Sequence, residues 1–338
     1  MDVVDSRIER IVAAAGKAPS VHNTQPWAVT VQGDRITVRA DPSRQLRHAD
    51  PSGREMYISC GAFLFNLRTA ARRESLTAAT TVLPSSTDHL LVARVRLEPA
   101  LGPLMDELEL AVAIDHRETS RAAFDDEPLD VDVLGEMQDA ARENGADLRV
   151  IHPWDPVRAE VLELVRRSEA LATEDAVALG EEAAWTTASI VRHDGIPQDL
   201  MGPADAQGRR PSRRSWAHVG TGEGTSEHRS TMAVVSTTGD DRQAWVAAGQ
   251  GLEHLLLVAT TYFVHASFQT TVLENPTTRH DLRRALDLDG HPQMLMRLGY
   301  TGTQRHTPRR PVDEIITERH TSTPGAASAS GAPERPHA

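Results

Sequence analysis

The loop over residues 18–27, APSVHNTQPW, holds the residues of this chain best suited to binding a polar ligand. Pro19 ends the preceding helix because proline lacks an N–H donor. Ser20 and Asn23 then place short polar side chains beside backbone N–H groups that the helix no longer uses. The loop therefore predicts neutral hydrogen bonds to a polar ligand. The alternative is an ordinary turn held in place by a buried Trp27.

A second polar segment, DHRETSRAAF over residues 115–124, concentrates charge. Its Arg117 and Arg121 can bind phosphate or carboxylate oxygens through charge-assisted, often bidentate hydrogen bonds, and Thr119 adds a neutral hydroxyl. The alternative is a solvated surface turn. Because Lys17 is the only lysine in the sequence, an abundance of arginine does not by itself indicate a phosphate site.

Both segments resemble motifs of the FMN-dependent nitroreductases. Residues 19–27, PSVHNTQPW, are similar to the family loop PSxxNxQPW, and RETSR followed by Phe124 is similar to RxSxR/K…F, with Thr119 in the Ser position. The resemblance implies an α+β, nitroreductase-like fold and one non-covalently bound FMN. It implies no catalytic side chain and no metal, since the flavin N5 carries the redox chemistry.

Two segments near the carboxy terminus are similar to further family motifs. Glu274-Asn275 stands where a Glu-Gly pair brings a backbone amide close to flavin N5, and Arg309-Arg310-Pro311 resembles the segment that contacts the FMN phosphate. Asn275 tolerates fewer backbone conformations than the Gly it replaces. The cofactor-binding residues that the resemblance implies are Pro19, Ser20, Val21, Asn23, Arg117, Thr119, Arg121, Glu274, Asn275 and Arg309.

The order of these motifs differs from that in ordinary family members. There the Arg-Ser segment precedes the Asn loop within one domain, and two subunits pair to complete each flavin site. Here the first half carries only the Asn loop and the second half only the Arg segment. One chain can therefore assemble one site, as an intramolecular pseudo-dimer that we expect to be a monomer. This arrangement resembles the Acg-type subfamily of actinobacteria.

The length of 338 residues is consistent with two domains of similar size. We predict a first half over 1–114, a second half over 115–316, and a disordered tail over 317–338. Residues 192–230 are rich in Gly, Pro, Arg and Ser without periodicity, which predicts a lid inside the second half.

Apolar periodicity predicts the elements that must position these loops. Helices are predicted over 7–17, 53–71, 103–114, 131–141, 159–188 and 242–266. Strands are predicted over 28–31, 35–40, 92–97, 147–152, 232–236 and 295–300.

Composition excludes several other classes of protein. The net charge of −12 argues against nucleic-acid binding. No apolar run approaches the roughly 20 residues of a membrane span, and the start has no pattern of a secretory signal, so we expect a cytoplasmic protein. The 15 histidines show no metal-binding spacing. Cys60 lies on an apolar helical stripe, which favours a place in the core.

The sequence thus predicts a flavoprotein that passes hydride from NADH or NADPH to an electrophile such as a nitroaromatic compound or a quinone. A flavin-binding or storage protein without turnover, its flavin covered by the lid, is the first alternative. A cofactor-free protein that acts by protein interaction is the second.

Overall fold

The computed structural model describes residues 3–187, 192–201, 230–302 and 306–320. Two β-sheets lie around a central pair of 20-residue helices, α2 (Arg54–Arg73) and α7 (Arg242–Thr261), which pack against each other. Sheets and helices are segregated in this way in α+β proteins, so the predicted fold class is confirmed.

The first sheet has the strand order β11-β1-β2-β4-β3. Its other four strands pair antiparallel in the order β1-β2-β4-β3, whereas β11 lies parallel to β1. Inward-facing Trp27, Val29 and Val31 alternate with more exposed residues along β1, as expected for a sheet with one buried face. The strands are β1 (Trp27–Gln32), β2 (Arg35–Ala40), β3 (Leu76–Val82), β4 (Leu91–Pro99) and β11 (Ile316–His320).

The second sheet has the strand order β5-β8-β10-β9 and is antiparallel throughout. Every residue of β8 is buried, because α4 and α7 cover one face of the sheet while α5, α8 and α9 cover the other. The strands are β5 (Asp147–Ile151), β8 (Thr231–Thr237), β9 (His265–Phe268) and β10 (His291–Gly299).

The remaining elements are peripheral to this framework. The other helices are α1 (Val3–Ala15), α3 (Met105–His116), α4 (Val131–Arg142), α5 (Arg158–Glu174), α6 (Ala176–Ala184), α8 (Thr271–Glu274), α9 (Pro276–Ala285) and α10 (Val312–Ile315). A two-residue pair links β6 (Thr186–Thr187) to β7 (Ile196–Pro197). None of the described helices is both long and apolar enough to cross a bilayer.

Several sequence-based boundaries need correction. The helix predicted over 242–266 ends at Thr261, because Phe263 adopts a positive φ of 58° and the chain then enters β9. The helix predicted over 159–188 is interrupted at Asp175, whose side chain caps the start of α6. Strands β3, β9 and β11 were not predicted.

The predicted domain limits also change. The tail predicted over 317–338 begins too early, since residues 317–320 belong to β11 and pair with β1 of the first half. Residues 321–338 lie outside the described part of the chain. Of the lid predicted over 192–230, only 192–201 and 230 are described.

Glycines allow α2 and α7 to approach closely. A Cβ atom added at Gly249 would overlap the carbonyl group of Ile58 and lie 2.9 Å from the backbone N of Ala62. A Cβ atom added at Gly61 would lie 3.0 Å from the Cα of Gly249. Both helices must therefore lack a side chain at this crossing.

We predict that Gly249→Ala destabilises the protein by about 1 to 3 kcal/mol, because the new methyl group must push the two backbones apart. Gly135→Ala is the matched control, since a Cβ atom at this helical position of α4 meets nothing within 4 Å. Chemical denaturation should show the control to be as stable as the wild type or slightly more so. Equal stability of the two variants would contradict a backbone contact at this crossing.

Candidate functional site

The Asn loop, residues 18–27, has an unusual backbone. His22, Asn23 and Gln25 adopt positive φ values of 47°, 55° and 50°. Such values are uncommon outside glycine and persist only where surrounding contacts enforce them. Locally, Ser20 supplies two of these contacts: its carbonyl accepts from the backbone N of Asn23 at 3.0 Å, and its Oγ accepts from that of Gln25 at 2.9 Å.

Two distant segments hold the side chains of this loop. The Nδ2 of Asn23 donates to the carbonyls of Gly195 and Pro308, both at 2.9 Å. The Nε2 of Gln25 donates to the carbonyl of His193 at 2.8 Å. The loop is therefore held from two sides. Residues 193–195, at the described start of the predicted lid, bind it on one side, and the carboxy-terminal segment that contains Pro308 binds it on the other.

Beneath the loop lies the core of the first half. Trp27 is fully buried and packs on Phe63, with ring centroids 5.0 Å apart. The guanidinium of Arg310 donates to the carbonyls of Gln25 and Trp27. Cys60 is buried as well, and burial raises the pKa of its thiol, so the prediction of a core cysteine is confirmed.

Arg117 of the second polar segment and Arg309 of the carboxy-terminal segment lie close together beside the Asn loop. The Nη2 atoms of Arg117 and Arg309 both donate to the backbone carbonyl of Lys17, at 3.1 and 3.2 Å. The Nη1 of Arg309 also donates to the Oδ1 of Asn23 at 2.9 Å. Three segments that are far apart in sequence thus converge at the end of α1.

A buried carboxylate lies below these arginines. The Oε1 of Glu253, on α7, is 3.6 Å from the Nε of Arg117, and both side chains are almost inaccessible to solvent. Asn66 of α2 lies beside this carboxylate without a hydrogen bond of normal geometry. Desolvation raises the pKa of Glu253 to about 7, although Arg117 and Arg309 oppose the shift.

Positive charge exceeds negative charge in this cluster. Burial and the neighbouring charge of Arg117 lower the pKa of Arg309 to about 9, although Glu253 opposes the shift. Burial likewise lowers the pKa of Arg121 to about 10, against the effect of Glu118. Cations held so close together in a desolvated site favour an anion among them.

Some donors of the cluster are buried without any hydrogen-bond partner within the described structure. They are the Nε and Nη1 of Arg117 and the Nε of Arg309. Leaving a buried charged donor unsatisfied costs more than a neutral one, and charge-assisted bonds to a phosphate would recover this energy. The donor set therefore fits a phosphate group.

The other predicted residues lie around this cluster or beyond it. Thr119 forms an isolated bridge with Ala266 of β9, and the Nη1 of Arg121 is 3.4 Å from the Thr119 carbonyl. Within the Asn loop, Pro19 is buried and Val21 partly buried. Glu274 lies at the end of α8, where its Oε1 accepts from the Oγ1 of Thr270 at 3.2 Å.

Asn275 has a backbone φ of −89°, so this position does not require glycine. Its side chain instead caps α9 by accepting from the backbone N of Thr277 at 2.9 Å. The structure places this junction on the side of the second sheet that packs against α5.

Sequence reasoning missed the carbonyl of Lys17 and the side chains of Glu253 and Asn66. A backbone carbonyl leaves no signal in the residue type. Glu253 and Asn66 did leave one, since each is a polar residue inside the apolar stripe of a long helix, in GLEHLLL and FLFNL.

The chain is similar to two proteins of Mycobacterium tuberculosis H37Rv whose names describe NAD(P)H nitroreductases. It is 28% identical to Rv3131 over 320 residues, covering 91% of this chain and 90% of that protein. It is 29% identical to Acg over 319 residues, covering 92% and 96%. No family model matches the chain.

A crystal structure described as a nitroreductase of Anabaena variabilis shares the fold. It superposes with a TM-score of 0.53 at 10% identity, covering 87% of this chain and 88% of that one. The fold and the arginine-lined site thus define an α+β protein of nitroreductase architecture. The chain thus has the fold of that nitroreductase structure, and it is similar along most of its length to the two mycobacterial proteins.

We predict that Glu253→Gln makes stability less dependent on pH. Because the folded-state pKa of about 7 lies above the ordinary value of 4.5, the folded protein holds this proton more tightly than the unfolded chain. Glu253 therefore makes stability fall as pH rises from about 5 to 7, by up to about 1.4 kcal/mol per pH unit. The melting temperature of Glu253→Gln minus that of the wild type should therefore increase as the pH rises from about 5 to 7.

The control is Glu160→Gln, at an exposed position on α5. Its melting temperature should follow that of the wild type at every pH. A constant offset between Glu253→Gln and wild type from pH 5 to 8 would show that Glu253 does not titrate in this range.

Proposed function

We propose that this chain is an FMN-binding flavoprotein that reduces small electrophiles at the expense of NADH or NADPH. The observation that carries the proposal is the cluster of arginines beside the Asn loop, in which the Nε and Nη1 of Arg117 and the Nε of Arg309 are buried without a hydrogen-bond partner in the described structure. The likeness of both segments to nitroreductase motifs and the names of the mycobacterial relatives support the same activity.

Arg117, Arg121 and Arg309 would hold the phosphate of FMN through charge-assisted hydrogen bonds. Ser20 and Thr119 would add neutral hydroxyl groups. Bound FMN would supply the hydride-transfer chemistry, from a nicotinamide to an acceptor such as a nitroaromatic compound or a quinone. The protein contributes position, positive charge and exclusion of water.

Asn23 has a positioning role in this proposal. Both hydrogens of its Nδ2 are engaged by the carbonyls of Gly195 and Pro308, and its Oδ1 accepts from Arg309. The amide therefore fixes the direction of the Arg309 guanidinium and braces the loop. Its loss would loosen the cluster, since Arg309 would keep fewer fixed acceptors.

We further propose that the two halves act as an intramolecular pseudo-dimer and that the protein is a monomer. Asn23 comes from the first half, whereas Arg117 and Glu253 come from the second half. A single chain therefore supplies every element of the described cluster.

Arg117→Gln should weaken FMN binding by about 10- to 100-fold, because a hydrogen bond to a charged group contributes about 1.5 to 3 kcal/mol. Riboflavin, which lacks the phosphate, should bind wild type and variant alike. Fluorescence titration of the flavin measures both affinities. Arg94→Gln, at an exposed position on β4, is the control. Unchanged FMN affinity in Arg117→Gln would reject this phosphate site.

Anaerobic mixing with NADH and NADPH tests the reductase activity directly. We expect the oxidised flavin absorbance of the wild type to bleach within seconds, and a nitroaromatic compound or a quinone to restore it. Absence of bleaching with either nicotinamide, in protein that retains its flavin, would reject the reductase.

One observation favours the second candidate function, flavin storage. Residues 192–201 dock directly on the Asn loop: Gln25 donates to His193, Asn23 exchanges two hydrogen bonds with Gly195, and Arg44 forms an ion pair with Asp194 at 2.8 Å. A segment held so firmly beside the cluster restricts access to it. Slow bleaching in wild type that accelerates in Asp194→Asn would support storage by coverage.

A further inference from the structure

Glu253 is an acidic residue enclosed in the core. It lies on α7 between the buried Leu252 and Leu255, and its side chain is inaccessible to solvent. A carboxylate in such a place costs free energy unless cations or hydrogen bonds compensate its charge. The FMN site proposed above uses the arginines of this region and leaves Glu253 without a role.

The carboxylate of Glu253 is held by charge and not by directed hydrogen bonds. Its Oε1 is 3.6 Å from the Nε of Arg117, which is beyond hydrogen-bonding distance, and both of its oxygens are buried without a hydrogen-bond partner within the described structure. The Nη2 of Arg117 donates to the carbonyl of Lys17 instead. Glu253 therefore supplies negative charge to the cluster while the Nε and Nη1 donors of Arg117 stay available to a ligand.

Two cations face Glu253, and both belong to the proposed phosphate site. They are Arg117, from the second polar segment, and Arg309, from the carboxy-terminal segment. Helix α2, which packs against α7, contributes the neutral amide of Asn66. Arg121 acts on Arg309, and among the described residues no further charged group acts on Glu253.

Opposing influences leave Glu253 close to the midpoint between its two protonation states at neutral pH. Burial favours the neutral acid, whereas Arg117 and Arg309 favour the carboxylate, and the pKa of Glu253 is raised to about 7. A modest change in the charge around Glu253 therefore alters its protonation state.

A phosphate bound to the arginine cluster would be such a change. The guanidiniums of Arg117 and Arg309 lie at one place, since the Nη2 atoms of both donate to the carbonyl of Lys17, at 3.1 and 3.2 Å. Two negative charges at this place would offset the attraction of the arginines for the carboxylate and would also repel it. Phosphate binding therefore favours the protonated form of Glu253, and the ionised form opposes phosphate binding.

We propose that Glu253 is an internal counter-ion of the arginine cluster, which the phosphate of FMN replaces. In the flavin-free protein the ionised carboxylate offsets part of the charge of the arginines. As the phosphate binds, the carboxylate takes one proton from solvent, becomes a neutral acid and leaves the arginines to the phosphate. This inference rests on the proposed binding of FMN at Arg117 and Arg309.

The resulting pH dependence of FMN affinity has a definite sign. Because binding raises the pKa of Glu253 above about 7, FMN binding takes up protons, and the affinity falls by up to about tenfold per unit as the pH rises above 7. The pKa of Arg309 is lowered only to about 9, and a phosphate monoester is a dianion above its second pKa of about 6. The window from pH 7 to 8 therefore reports on Glu253.

Isothermal titration of FMN into the full chain, stripped of its flavin, measures proton uptake when it is done at pH 7.5 in two buffers of different ionisation enthalpy. We expect the wild type to take up about half a proton or more per FMN, and Glu253→Gln to take up almost none. Riboflavin, which lacks the phosphate, should cause no uptake in either protein. The control is Glu160→Gln, at an exposed position on α5, which should take up protons as the wild type does.

The FMN affinity of Glu253→Gln gives a second readout, which a merely structural role would not produce. A neutral amide resembles the protonated acid, so this variant should bind FMN with nearly the same affinity at pH 7 and pH 8, and about three- to tenfold more tightly than the wild type at pH 8. If the variant does not fold, the ratio of FMN affinity to riboflavin affinity in the wild type still tests the inference. This ratio should fall about threefold or more from pH 7 to 8.

Three results would overturn the inference and leave the proposed function standing: FMN binding to the wild type without proton uptake, equal uptake in the wild type and Glu253→Gln, or weaker FMN binding by Glu253→Gln at pH 8. A wild type that binds FMN no more tightly than riboflavin would instead reject the phosphate site, and the proposed function would fail with it.

Discussion

Helices α2 and α7 touch backbone to backbone, and this contact sets the position of the groups around it. Gly61 and Gly249 permit the approach, since a methyl group at either position would collide with main-chain atoms of the other helix. The same crossing carries Asn66 and Glu253 into the interior, below the arginines. A wider separation would admit water to Glu253 and weaken its interaction with Arg117.

Residues 306–320 complete the first half from the far end of the chain. They supply Pro308 and Arg309 to the Asn loop, and then add β11 to the edge of the first sheet. The positive φ values of the loop are maintained because these distant contacts satisfy its polar groups. Strain at the loop is thus supported by structure that forms only when both ends of the chain meet.

Charge is distributed unevenly through this molecule. Its composition is acidic overall, yet the arginine cluster beside the Asn loop holds more arginines than carboxylates. Glu253 neutralises the positive charge of this cluster only in part, because its own burial favours the protonated form at neutral pH. Such arrangements reduce stability in the absence of ligand, a cost that proteins tolerate where binding requires pre-positioned charge.

The sequence by itself determined the elements with strong periodicity, among them the long helix over 53–71 and the buried strand over 232–236, as well as the Asn loop and the unusual order of the motifs. These features depend on residues close in sequence, and apolar spacing reports which face is buried.

Only the tertiary structure decided which distant groups meet. It assigned β11 to the first sheet, and it brought Glu253 and the carbonyl of Lys17 to the arginines. None of these contacts could be read from local pattern, because they depend on the packing of whole helices and sheets, and the backbone carbonyl of Lys17 is the same for every residue type.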